Sequence, residues 1–245
     1  MLKNTIVLLC SVLLLGSVYG RAEMFDADTI GSDDRALVIT FIGHGTLMFE
    51  YGGTVVHADP TLRESDYEGL PKADLILITH EHGDHLDPEA VAKLKKTETE
   101  IIVNSSSADR LEGAAVLKNG ETRTAKGLTI EAVPAYNILN KRDNGQPYHP
   151  RGNGNGYVIS FGPTRVYVAG DTEYVPEMKS MGKIDIAFLP MNLPYTMTVE
   201  MAAEAAQAIA PRIFYPYHYG NSDVSRLDAL LKDARGIELR IRDLQ

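Results

Sequence analysis

The residues best suited to chemistry crowd into one segment. Thr79-His80-Glu81-His82-Gly83-Asp84-His85-Leu86-Asp87 holds three of the seven histidines within six residues. Neutral imidazole and ionised carboxylate are natural ligands for zinc and similar divalent cations. The pattern His-x-His-x-Asp-His suits two adjacent sites rather than one. A tight loop can turn His80 and His82 to one side and Asp84 and His85 to the other, with Gly83 permitting the bend. A merely His-rich solvated loop is disfavoured, because the segment directly follows the apolar run Leu75–Ile78. Downstream, Gly170-Asp171 alone would read as a turn, and His218, in the aromatic run Phe214–Tyr219, as a packed histidine. Beside the upstream segment, both read as ligands. His57 and His44 take plainer readings. His57 sits in a strand and packs or faces solvent. His44 lies in a turn near the expected mouth of the site, where it could touch substrate. Asp87 reads as a helix cap, and Tyr136, Tyr195 and Met197 as candidates for pocket lining.

These residues need elements to hold them. Leu37–Ile42, Thr46–Tyr51 and Thr54–Ala58 read as three short strands, with Gly52-Gly53 as a hairpin signal between the last two. Leu75–Ile78 is a fully apolar strand that delivers the chain to His80. Pro88 opens a helix capped by Asp87. Further strands are expected at Ile101–Val103, Leu128–Val133, Tyr157–Phe161, Arg165–Ala169, Ile184–Leu189, Ile213–Tyr215 and Glu238–Ile241. Short helices are expected at Ser106–Glu112, Val175–Met181 and Ser225–Ala234, and a longer one runs from a Thr198 cap to Ala210. Tyr136–Gly156 is the longest irregular stretch, and long loops inside compact domains are often functional. Both halves show paired strands, then a strand ending in ligand-type residues, then a helix. Two packed sheets with helices outside would bury so many short apolar strands.

Composition narrows the class. The chain has 245 residues, 44% hydrophobic and 23% charged, which fits one large soluble domain with a core that needs no staples. A net charge of −9 makes nucleic acid a poor main partner. It leaves a small anionic substrate admissible, since two bound cations would reverse the local field. Lys3, the apolar run Ile6–Leu15 and Ser17-Val18-Tyr19-Gly20 have the layout of a secretory signal over residues 1–20. The run is shorter than the roughly 20 residues of a spanning helix. The expectation is export to the periplasm or beyond, with no stable membrane span after the signal is removed. Residues 21–35 read as a short polar leader, and 36–245 as the working domain. The single cysteine, Cys10, lies inside the apolar run, so a metal site must use histidine and carboxylate.

The segment His80–Asp87 resembles the metallo-β-lactamase fold superfamily, and more narrowly its lactonase-like and phosphodiesterase-like branch. Other pieces follow in that family's order: Gly43-His44-Gly45, Ala58-Asp59-Pro60, Val133-Pro134-Ala135-Tyr136-Asn137, Gly170-Asp171-Thr172 and Pro216-Tyr217-His218. The resemblance implies an α+β fold, a four-layer αββα sandwich. It implies two divalent ions, zinc first, with manganese or iron as alternatives. His80 and His82 would hold one ion with a third histidine. Asp84, His85 and His218 would hold the other, and Asp171 would bridge both. Asp84 and Asp171 would thus serve catalysis through the ions, and Asp59 would fix a ligand histidine from behind. A hydroxide on the ions would attack an ester, lactone or phosphodiester-type bond in a small substrate.

The third histidine is where the pattern departs. Many relatives carry it just after a strand ending like Val133-Pro134-Ala135; here that position reads Tyr136-Asn137. His149 is the expected substitute, with Asn137 or water as the alternative. That departure also supports a second reading, a non-catalytic metal-binding or ligand-binding module. Redox use of two irons is disfavoured, because the chain carries no Gly-rich dinucleotide fingerprint.

Overall fold

The computed structural model describes residues 25–31 and 35–245. The expected signal, residues 1–20, lies outside them. Among the described residues, fourteen strands form two seven-stranded sheets. The first runs, in spatial and chain order, through β1 (Ala27–Ile30), β2 (Leu37–Gly43), β3 (Thr46–Tyr51), β4 (Thr54–Ala58), β5 (Leu75–Ile78), β6 (Glu100–Val103) and β7 (Ala115–Val116). The second contains β8 (Thr122–Ala125), β9 (Leu128–Ala135), β10 (Gly154–Phe161), β11 (Thr164–Val168), β12 (Ile186–Pro190), β13 (Ile213–Tyr217) and β14 (Glu238–Leu239). In each sheet the first four strands are antiparallel and the last four are parallel, sharing the fourth. The two halves of the chain therefore repeat one topology.

Strand β5 shows why the sequence folds this way. All four of its side chains are buried, but on two sides. Leu75 and Leu77 enter the core between the sheets. Ile76 and Ile78 join a smaller core with Ala90, Val91 and Leu94 of helix α1 (Pro88–Leu94). A strand covered on both faces reads as a continuous apolar run. Helices α2 (Val199–Ile209) and α3 (Arg226–Leu231) pack with the second sheet. The result is the expected α+β sandwich with helices on the outside. Among the described residues no helix is long and apolar enough to cross a membrane.

The caps form as expected. Asp87 Oδ1 accepts from the Glu89 and Ala90 amides, and Thr198 Oγ1 accepts from Met201 N. Three expectations are corrected. Residues 21–35 are not wholly an irregular leader, because Ala27–Ile30 pairs antiparallel with Leu37–Thr40 as an edge strand. The short helices near 106–112 and 175–181 are 3₁₀ rather than α-helical, at Ser105–Arg110 and Pro176–Ser180. Strand β9 continues through Pro134 to Ala135. It can do so because β8 pairs only as far as Glu131, so no partner on that side needs the missing N–H.

Candidate metal centre

The ligand-type residues come from the ends of strands and from the loops between them. The parallel strand β5 feeds the His80–His85 loop. Strand β11 is followed by Gly170-Asp171, and β13 by His218. In this set, the backbones of Asp59 (φ 46°) and His218 (φ 46°) are left-handed, as is His44 (φ 49°) in the β2–β3 turn. Left-handed non-glycine residues gather where surrounding structure fixes a strained geometry. Gly170 (φ 65°) cannot be replaced cheaply, because an added Cβ would lie 2.7 Å from Asn155 O. Gly83 needs no such freedom, and an added Cβ there would meet only Arg63, at 3.9 Å. The bend comes instead from His82 O, which accepts from the His85 and Leu86 amides at 3.0 and 2.8 Å.

Two groups of donor atoms converge. The first is His80, His82, His149 and Asp171, and the second is His44, Asp84, His85 and His218; within each, all the facing atoms lie within 4.8 Å of one another. In the first, His82 Nδ1 is 3.1 Å from His80 Nε2 and 3.2 Å from His149 Nε2, and His149 Nε2 is 3.2 Å from Asp171 Oδ2. Asp171 reaches the second group with its other oxygen. Oδ1 lies 3.3 Å from His85 Nε2 and 3.4 Å from His218 Nε2. Asp84 Oδ2 is 3.8 Å from His218 Nε2. Donors about 2.0–2.1 Å from a tetrahedral ion stand roughly 3.3 Å apart, so these spacings fit divalent ions.

Tautomers support the same fit. Thr79 Oγ1 donates to Asp59 Oδ2 at 2.6 Å and therefore accepts from His80 Nδ1 at 3.0 Å. His85 Nδ1 donates to the same Asp59 oxygen at 2.8 Å. His149 Nδ1 donates to Asn137 Oδ1 at 2.8 Å. In its neutral form each of these rings thus turns a bare Nε2 toward the cluster, the arrangement expected of metal-bound histidines. His85 Nε2, His218 Nε2 and Asp171 Oδ1 are buried with no hydrogen-bond partner. Buried polar atoms are rarely left so, and a cation is what this donor set would satisfy.

The electrostatics agree. Burial, with neighbouring His85 and His149, holds His80 well below the ordinary histidine value. Burial would also lower His85, but the carboxylates of Asp171 and Asp59 outweigh it and raise the ring, so without an ion Nε2 keeps a proton toward Asp171, and a bound cation would take that proton's place. Burial would raise Asp171, yet His218 and His85 hold its carboxyl well below the usual range. Asp84 is likewise held down, by His218 and His44 against burial. The carboxylates are ionised, as ligation requires.

His80, His82, Asp84, His85, His149, Asp171 and His218 are therefore brought together as the sequence pattern implies, and Asp59 stands behind two of the rings. Asn137 does not enter the cluster. It supports His149, and its own Nδ2 donates to Tyr195 O at 2.8 Å. Among the proposed lining residues, Tyr195 borders the open cavity of about 330 Å³ beside the cluster, with Arg142 and Tyr148. Arg142 sits over the Tyr148 ring at 4.9 Å, and Tyr148 meets Tyr195 edge-on at 5.0 Å. Met197 and Tyr136 do not line it. Met197 is buried in the core, and Tyr136 turns its hydroxyl to Glu177 at 3.1 Å. His57 is buried rather than solvent-facing.

His44, expected near the mouth of the site as a possible substrate contact, joins the second group. One residue was missed. Glu173 is buried and accepts from the Ile138, Leu139 and Asn140 amides at 2.9, 2.8 and 2.6 Å. It pins the start of the loop that carries His149. Nothing in the sequence around Glu173 marks that role.

Comparison with known proteins agrees with this geometry. Residues 38–218 match the family model of the β-lactamase superfamily domain, and the chain belongs to that superfamily. It is 34% identical over 199 residues to the UPF0173 metal-dependent hydrolase of Methanopyrus kandleri, spanning 74% of this chain and 84% of that protein. A crystal structure from Parabacteroides distasonis, described as a metal-dependent hydrolase, superposes with a TM-score of 0.85 and 52% identity, over 90% of this chain and all of that one. Igni18, a metallo hydrolase from Ignicoccus hospitalis, shares the fold at a TM-score of 0.69 and 24% identity, over 85% of this chain and 95% of that one.

Proposed function

We propose that this chain uses two divalent ions, zinc first, to hydrolyse an ester, lactone or phosphodiester-type bond in a small substrate. As a metal-dependent hydrolase of the β-lactamase superfamily, it has the residues for that chemistry. The observation that carries the reading is Asp171, whose two oxygens face separate donor groups. Bound there, divalent ions supply the ionisation of water and the neutralisation of charge developing on the substrate. His80, His82 and His149 would hold one ion, Asp84, His85 and His218 the other, and Asp171 both.

The chain's own residues set the stage. Asp59 and Thr79 fix the tautomers of two histidines on opposite sides of the centre. The cavity beside Asp84 and Asp171 is of a size that takes a small molecule. The two loops that line it carry exposed apolar side chains: Leu139, Leu193 and Tyr195 are 66%, 51% and 45% exposed. Arg142 adds a cation at the same opening. This rim favours a substrate with an apolar portion beside the scissile bond.

The test is metal removal and restoration. Dialysis against a chelator should abolish turnover of an ester, lactone and phosphodiester panel, and zinc should restore it. Asp171→Ala should retain neither ion, with turnover down at least 10³-fold, on the order of losing a group that stabilises the transition state. Full turnover by the metal-free protein would refute the reading.

A further inference from the structure

We propose that His44 is a further ligand of the second ion, beside Asp84, His85, His218 and Asp171, and that Gln245 orients it. The inference rests on the two-ion reading above. Four observations carry it, and none involves the residues of the His80–His82 side.

First, a nitrogen of His44 lies within 4.8 Å of the facing atoms of Asp84, His85 and His218. Second, His44 Nδ1 donates to the main-chain oxygen of Gln245 at 2.7 Å. That oxygen can only accept, so the neutral ring carries its proton on Nδ1 and turns a bare Nε2 inward. His85 and His149 are prepared in the same way, by Asp59 and Asn137. Third, His44 Nε2 faces Asp84 Oδ2 at 3.5 Å. Without an ion the ring meets this oxygen with a proton on Nε2, and an ion within reach of both atoms would take that proton's place.

Fourth, the backbone is built to place this one ring. His44 adopts φ 49°. Its carbonyl accepts from the His218 amide at 3.1 Å, so the two residues are tied at the main chain. Their rings lie 3.8 Å apart. Gly45 follows because a Cβ there would stand 2.8 Å from His85 Cε1. The turn therefore touches two of the second ion's ligands by backbone as well as by side chain. Five protein ligands on that ion against four on the other make the centre asymmetric. Exchangeable positions would then concentrate on the ion held by His80, His82 and His149.

Cobalt(II) titration of the metal-free protein, followed by its visible d–d absorption, tests this. The wild type should bind two equivalents. His44→Asn keeps a residue that tolerates left-handed backbone, and its amide can still bond to Gln245, but nothing reaches the cluster. It should bind one of the two equivalents about 10–100-fold more weakly. The band of that equivalent should move to that of a site with one ligand fewer, and the other equivalent should be unchanged. His44→Gln places an amide oxygen near the position of Nε2 and serves if the Asn variant does not fold. Its second band should shift without being lost. Two equivalents bound by the folded variant with wild-type affinity and bands would overturn the proposal while leaving the two-ion reading intact. A loss of turnover with both bands unchanged would also overturn it, by giving His44 to the substrate. A wild type that takes up no cobalt would sink both.

Discussion

Asn137 stands just past β9, where the family resemblance leads one to expect a metal-binding histidine, and it supports His149 instead. Its carbonyl oxygen accepts from both the backbone amide and Nδ1 of His149, at 2.7 and 2.8 Å. One side chain thus fixes the loop's path and the ring's tautomer together. Asn137→Ala should weaken the first ion about 10–100-fold, the usual loss when such a support is removed. Asn137→Asp, which keeps an acceptor at the same place, should recover most of it. Metal titration of the two variants measures this, and equal affinity in wild type and Ala variant would show that His149 needs no support. The identity of His149 was readable as the one histidine of a long loop. The task of Asn137 was not, because which amide atom faces a ring depends on Tyr195 O and Glu173, far away in sequence. Asp171 and His218 were legible only beside the His80–His85 segment, since Gly-Asp and a Tyr-His pair are common in turns and cores.

At the scale of elements, two loops make the rim of the cavity, one after β9 and one after β12. They are joined by hydrogen bonds from Asn137 Nδ2 to Tyr195 O and from Asn140 Nδ2 to Thr196 O, at 2.8 and 2.7 Å. Glu173 holds the first of them from below. Exposed apolar side chains on anchored loops keep their positions, and so can select substrates. The pair Leu139→Ser and Leu193→Ser should lower kcat/KM about tenfold on an ester bearing an apolar group. The same pair should leave a short polar ester unaffected. Equal losses on both esters would mean the rim matters for folding, not selection. Element boundaries were most legible where a strand is buried on both faces. Thr54–Ala58 and Leu75–Ile78 are observed as read. Strands β1, β7 and β8 escaped because they are short, lie at sheet edges or ends and are largely exposed. Their pairing partners, not their own side chains, make them strands.

For the whole molecule, acid stability is written into His57. It is buried, its Nε2 donates to Pro71 O at 3.1 Å, and its Nδ1 has no partner. Burial pushes its pKa down to about 4. The unfolded chain titrates near the ordinary 6.5, so between those values the unfolded state binds a proton that the folded state refuses. Stability is therefore full above about pH 6.5 and falls as the pH drops toward 4, by about 2–3 kcal/mol from this residue. His57→Phe, similar in shape and uncharged, should lose less stability than the wild type between pH 7 and 4.5 in urea unfolding of metal-free protein. Parallel losses in the two proteins would place the acid sensitivity elsewhere.

The repeated topology has one more consequence. The stretch ending with β7 carries His44, His80, His82, Asp84 and His85, while the stretch from β8 onward carries His149, Asp171 and His218. A chain cut near residue 118 would leave one fragment rich in imidazole but lacking the shared carboxylate, and another holding that carboxylate with too few neighbours. Each half repeats the other's architecture, yet neither inherits a working centre.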